Sequence, residues 1–311
     1  MQYGIIYSLV VTDKNTGKGW EIQDLAMSFE VTKDSDSSTS QSNHATIRVW
    51  NLSKDKQKTL ERGKTQAVLK VGYQPSGLTY LFSGEAVSVY TLKEGPDVIT
   101  ELKITPAFTE LSAIRLSHTI PEGKTVKDVI DFVVSKVPSI KKVTSRGEFL
   151  SKQLTDGFSI LGSPYVVLNN LSNSYKLEWN IDGETLYVSD KGASWELRPD
   201  KGFVINQSSG LIGRPYKDED KTETNSSQGL SFTCLLNPKL VAGGIVRLEY
   251  EELTDFYKIE SVRFSGHTHQ PGSWISEVKC SRYTSEGNRL WAILLRPDKT
   301  GGHNVSSSNI S

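Results

Sequence analysis

The sequence predicts a mainly β protein with an α+β insert: two similar small β-barrel domains flanking a mixed middle domain. Three observations carry this. Short runs of alternating apolar and polar residues, separated by turn residues, fill the first third of the chain. Runs of the same kind return in the last third. Between them the apolar period becomes that of a helix. The expected divisions are a first barrel over 1–105, a middle domain over 106–200, a second barrel over 201–296 and a flexible tail over 297–311.

The first third opens with strands over 3–11 and 20–31 around an Asn15-Thr16-Gly17 turn. Met27, Phe29 and Val31 alternate with Ser28 and Glu30, so one face is apolar. Residues 33–44 are rich in Ser and Asp, a composition that forms no core, and read as a mobile surface loop. A strand over 45–53 follows. Ser53 is a good N-cap for a helix over 54–62, with Gly63 as the residue that ends it. Strands over 69–73, 80–84 and 98–105 complete this unit, with Val98, Leu102 and Ile104 on one face of the last.

The pattern changes near Pro106. Thr125 caps a helix whose apolar stripe is Val126, Val129, Ile130, Val133 and Val137, and Pro138 stops it. Asp128 and Asp131 near its start and Lys136 near its end suit the helix dipole. Ser163 followed by Pro164 starts a second helix containing Val167, Leu168 and Leu171. Strands over 176–181 and 184–189 form a hairpin around Asp182-Gly183.

The last third begins near Phe203 and carries a charged loop over 217–228, read as mobile. Its strands alternate cleanly. Val246, Leu248 and Tyr250 oppose Arg247, Glu249 and Glu251, while Trp274, Ser276, Val278 and Cys280 repeat the pattern. The phase slips between Ile259 and Val262, which predicts a bulge.

Composition narrows the function. Lys plus Arg and Asp plus Glu are both 36, so the formal net charge is zero and nothing favours a nucleic-acid-binding face. Cys234 and Cys280 sit at core-like strand positions and read as buried thiols, with no disulfide required. The first residues lack the features of a signal peptide, and no stretch approaches the ~18 apolar residues of a membrane span. A chain made and folded in a cytoplasm, without membrane insertion, is the expectation.

Chemistry is hard to find. His267-Thr268-His269 has the two-residue spacing that places both imidazoles on one face of a strand, but Gly266 and Gln270-Pro271-Gly272 make a solvated turn the better reading. Asp34-Ser35-Asp36 resembles the start of a calcium loop without its later Gly and acid. Glu251-Glu252 and Asp218-Glu219-Asp220 read as solvated charge rather than as paired catalytic carboxylates. Core positions account for Trp50 and Trp274 better than a sugar platform does. No nucleophile elbow, P-loop, Cys-x-x-Cys or His-Glu-x-x-His occurs. The expectation is therefore a non-enzyme with no catalytic, cofactor-binding or metal-binding residue and no cofactor.

Several elements together resemble the bacteriophage tail baseplate hub proteins. They are Ile47-Arg-Val-Trp-Asn-Leu-Ser53 with Leu60, Lys70-Val-Gly-Tyr73, and Phe82-Ser-Gly84. In the last third they are Leu236-Asn-Pro-Lys-Leu240, Gly243-Gly-Ile-Val246, Tyr257-Lys-Ile-Glu-Ser-Val262 and Gly266-His-Thr-His269 before Trp274. His267 stands where relatives often carry an acid. The resemblance covers nearly the whole chain. It implies a homotrimer forming a pseudo-sixfold ring in the virion tail baseplate, assembled in the bacterial host cytoplasm. That ring would join the tail tube, or a tube-initiator protein, to the central spike and surround the channel for genome ejection. Tape-measure and baseplate wedge proteins are further implied neighbours, and DNA is met only in transit. The alternatives are a hub of a phage-tail-like contractile injection particle, or a tail-tip protein that binds carbohydrate or acts on the cell wall. The absent catalytic constellation and the Ser, Asp and Lys-rich loops argue against the last.

Overall fold

The computed structural model describes residues 4–38, 43–62, 64–195, 203–218, 229–251, 253–269 and 274–283. The first part of the chain forms β1 (Ile5–Asp13), β2 (Gly19–Ile22), β3 (Met27–Asp34), β4 (His44–Trp50), α1 (Lys54–Arg62), β5 (Thr65–Tyr73), β6 (Gly77–Glu94) and β7 (Asp97–Thr105). The insert forms α2 (Phe108–Ala113), β8 (Leu116–Ile120), α3 (Val126–Ser135), β9 (Lys142–Arg146), a 3-10 turn (Glu148–Ser151), β10 (Phe158–Gly162), α4 (Pro164–Tyr175), β11 (Leu177–Asp182) and β12 (Thr185–Asp190). The last part forms β13 (Phe203–Ile205), β14 (Leu211–Asp218), β15 (Gly229–Leu235), β16 (Ile245–Tyr250), β17 (Leu253–His267) and β18 (Ile275–Arg282).

The two expected barrels do not form. Thirteen strands join in one open sheet, in the order β14-β15-β18-β17-β3-β4-β7-β6-β5-β1-β2, with β16 on β17 and β13 on β16. Among the described residues no sheet closes on itself. Nor do the two parts repeat one topology: β1 to β7 are all antiparallel, whereas β13 lies parallel to β16. The reason lies at β3. Its free edge, which closure of the first part would have needed, pairs instead with β17, Ser28–Asp34 against Ser261–His267. Alternation fixes which face of a strand is buried and says nothing about which edge it meets. The apolar face is accordingly one core running from Leu9 and Val11 through Phe29 and Ile47 to Phe264 and Cys280.

Two long strands turn corners by bulging. In β17 the register against β18 slips between Ile259 and Ser261, as the phase of the sequence predicts. The slip falls where β17 leaves β16, its partner up to Lys258, and takes up β3 from Ser261. β6 does the same at Ala86–Ser88, where it passes from β5 to β7. A bulge adds one residue and re-aims the strand, so each corner follows from a local insertion.

The insert has its own core, from Ala107 and Leu111 through Val129, Ile130 and Leu171 to Trp179 and Val188. The helix expected after Thr125 forms with a full capping box, in which Thr125 and Asp128 exchange side-chain and backbone bonds. α4 begins with Ser163 as cap and Pro164 in its first turn. The Asp182-Gly183 hairpin forms, with Gly183 at φ 60°, and β12 adds parallel to β9. A two-stranded ribbon, β8 with β10, completes the insert.

Residues 33–38 and 43–44 are not a surface loop. Lys33, next to last in β3, is buried, and Ser35, Ser37 and Asn43 are buried as well. Gly63, residues 39–42, residues 219–228 of the charged loop and the 297–311 tail lie outside the described residues.

Candidate functional site

The insert meets the sheet through buried polar contacts at the point where β3 and β17 join. The face of β3 that carries Met27, Phe29 and Val31 continues in the same phase to Lys33. Its Nζ lies 2.6 Å from Asp182 Oδ2 at the tip of the β11–β12 hairpin. Tyr80 of β6 donates to the other oxygen of Asp182 at 3.2 Å. Desolvation of that hydroxyl, with Asp182 beside it, pushes the Tyr80 pKa well up. One strand further, Lys258 Nζ lies 2.7 Å from Glu178 Oε2 and 3.1 Å from Glu260 Oε2. Glu260 is the extra residue of the β17 bulge, so the bulge supplies a ligand as well as the corner.

These ions are held by further hydrogen bonds. Glu178 accepts from the Gly192 backbone, and Glu260 accepts from the Ser35 hydroxyl. Backbone groups cross the junction too. The Ser37 N–H donates to the Trp179 carbonyl, Asn43 to the Ile181 carbonyl, and Asn180 to the Ser35 carbonyl. Trp195 and Ser194 bond the carbonyls of Ala242 and Gly243. Burial, with the Glu260 charge adding to it, raises the Glu178 pKa despite the lysine. Burial works against a charged Lys258, but Glu260 and Glu178 outweigh it and its pKa rises. Removing one member of such a buried set leaves an uncompensated charge, at a cost of about 3–5 kcal/mol. Arrangements of this kind fix position, and here they fix the insert on the sheet.

The residues singled out from the sequence are not brought together. His267 is the last residue of β17, paired with Ser28, and its ring lies 5.2 Å from that of Trp50. It is therefore strand rather than turn. His269 follows in the turn and donates its backbone N–H to His267 Nδ1. Burial, then the neighbouring His269, lowers the His267 pKa. Trp50 is half-buried on the outer face and not in the core, whereas Trp274 is buried edge-on to Phe29 at 5.2 Å. Cys234 and Cys280 are buried and unbridged. Asp34 and Asp36 flank the junction. Glu251 is an exposed turn residue at φ 50°, Asp218 ends β14, and Glu252, Glu219 and Asp220 lie outside the described residues. No group of three or more His, Cys, Asp or Glu side chains suited to a metal occurs among the described residues.

The other assembly-relevant features are the ends of the sheet. β2 and β14 each have one unpaired edge in the strand order. β2 is only four residues long. β14 is interrupted between Ile212 and Tyr216, where Gly213 has φ 69° and Pro215 offers no N–H. Short and broken edges resist indiscriminate pairing, so only a matched partner strand would extend them. Ile212 and Tyr216 of β14 are exposed, Tyr216 by 60%.

Residues 9–270 match the family described as Baseplate hub gp41. The chain belongs to this baseplate hub family. Its fold is similar to that of a tail protein from Neisseria meningitidis MC58, at 13% identity and a TM-score of 0.62, over 90% of this chain and 97% of that one. A 43 kDa tail protein of prophage MuSo2 from Shewanella oneidensis is 11% identical with a TM-score of 0.59, over 89% and 98%. The E. coli c3393 protein, a component of the type VI secretion system, is 10% identical with a TM-score of 0.57, over 83% and 74%. No curated protein matches the chain. The baseplate hub family agrees with the structural, non-enzymatic expectation, and it gives the hub a place in a tail apparatus with tail proteins as neighbours.

Proposed function

We propose that this hub protein acts as a homotrimer, forming a ring that joins the tail tube to the central spike around the genome-ejection channel. The observation that carries this is the open sheet, in which β2 and β14, at the two ends of its main run of strands, each leave one edge unpaired among the described residues. Unlike edges at opposite ends suit a head-to-tail contact, which closes into a ring when the rotation permits. Each chain brings two β parts of different topology, so three copies place six β parts around the ring, matching a sixfold tube in number only, while the three chains match a threefold spike. The separate core between Ala107 and Val188 supports 106–200 as an insert between these parts, which span 1–105 and 201–296. Assembly takes place in the host cytoplasm, with the spike or tube as template. Tape-measure and wedge proteins are further partners of the same ring, and DNA only passes through it.

Native mass spectrometry of the protein with the adjacent spike protein tests this. A three-to-three complex is the expected result. A monomer or twofold dimer that persists in the mixture overturns the ring. The similarity to a type VI secretion component supports a second reading, a hub of an injection particle that carries no genome. Electron micrographs of the purified particles separate the two by the presence or absence of a DNA-filled head.

A further inference from the structure

A groove of about 1030 Å³ opens at the end of the sheet between β14 and the β16–β17 hairpin. Its volume is at or above the upper end of the roughly 300–1,000 Å³ of small-molecule pockets, which suits a peptide segment better than a metabolite. Leu230 and Tyr257 form its floor, and Tyr216, Tyr250 and Leu253 its apolar walls. Glu251 and Asp255 stand on the hairpin side, Arg214 and Lys217 on the β14 side. None of this belongs to the ionic junction.

The chain itself leads into the groove. β18 runs antiparallel to β17 and ends with Arg282 opposite Tyr257. Arg282 lines the groove and pairs with Asp255 at 3.1 Å. The Tyr283 backbone N–H then bonds the Phe256 carbonyl. The described chain therefore reaches the rim at Tyr283. The residues that follow are Thr284-Ser-Glu-Gly-Asn-Arg289 and then Leu290-Trp-Ala-Ile-Leu-Leu295, six consecutive apolar residues. Six linker residues reach up to about 20 Å. Such an apolar run is costly to leave in water. Glu286 and Arg289 precede it and Arg296 and Asp298 follow, so both ends carry a charge of either sign to meet the two charged walls. We propose that the groove takes the chain's own segment Leu290–Leu295. This proposal is independent of the ring.

The test is a disulfide trap in the full chain. Tyr216→Cys places a thiol on the groove wall and Ile293→Cys one in the segment. The native thiols are buried with raised pKa values, Cys234 up to about 12, and stay out of the exchange. Mild oxidation should give an intramolecular 216–293 bond at a rate independent of protein concentration. That rate should be at least tenfold above a Tyr216→Cys/Ser307→Cys control. Leu253→Asp should reduce it about tenfold, and Tyr250→Ala repeats this arm if Leu253→Asp unfolds the protein. A bond no faster than the control, or insensitive to the groove substitutions, overturns the proposal. A bond found only between chains, rising with concentration, overturns it in favour of exchange between copies.

Discussion

Lys258→Met removes the one cation that faces two carboxylates under the insert. The lysine side chain is 1% exposed, and methionine fills a similar volume without the charge. Glu260 is 36% exposed and keeps its hydrogen bond from Ser35, so it loses little. Glu178 is buried and, of the bonds described above, keeps only that from the Gly192 N–H, so it carries the penalty. The expected loss is about 3–5 kcal/mol at neutral pH. Urea unfolding followed by tryptophan fluorescence measures it, and Trp179, next to Glu178 in β11, reports on the junction. The sign of the pH dependence follows from the raised Glu178 pKa. A carboxyl whose folded pKa lies above its unfolded value destabilises the fold once ionised, and more so without its lysine. The deficit of Lys258→Met should therefore shrink as pH falls through that raised folded pKa. Adding Glu178→Gln should recover at least half of the loss at pH 7 and abolish the pH dependence of the deficit. A loss below about 1 kcal/mol, or a deficit equal at pH 8 and pH 5, refutes the reasoning.

Thr125→Ala removes the cap of α3 and should cost about 1 kcal/mol in the same assay, with Thr125→Ser restoring most of it. Ile130→Ala empties a fully buried position in the insert core and should cost about 2–5 kcal/mol, against about 0.5–1.5 kcal/mol for Ile130→Val. Gly183→Ala combines φ 60° with a Cβ placed 2.7 Å from the Tyr80 hydroxyl, and should destabilise; with Tyr80→Phe the two losses should be less than additive in a double-mutant cycle. Cys234 and Cys280 should resist a disulfide reagent at pH 8 in the native protein and react fully in urea, as their burial and raised pKa values require.

Much of the local structure was legible in the sequence. The capped helices after Thr125 and Ser163, the Asp182-Gly183 hairpin and the β17 bulge are written in short-range signals, and each forms. The open sheet was not legible, and barrels were expected in its place, because it depends on pairing between β3 and β17, residues more than two hundred positions apart. The ionic junction was missed for a different reason. A run of Ser and Asp after Val31 looks solvated, and the insert lying over it, with the β17 bulge, supplies partners for Lys33, Ser35 and Asn43. One signal was present: Lys33 keeps the inward phase of Met27, Phe29 and Val31, and a lysine in that phase calls for a buried acid. Trp50 was misplaced because the strand register, not its bulk, sets which face it occupies.

The union of β3 with β17 also bears on how the molecule comes to be folded. As the chain leaves the ribosome, β3 waits with one side unsatisfied while the whole insert and most of the last part are still to be made. Contacts of such long range are slow to form, since a large loop must close before any reward arrives. During that interval an edge of seven residues, Ser28–Asp34, is open to the wrong neighbour. Lys33 on that edge is a charge without a counterion until the insert's hairpin arrives, and a bare lysine discourages strand pairing. The residue that later locks the insert thus guards the edge beforehand, and synthesis rate and temperature should govern the yield of this protein more than its final stability does.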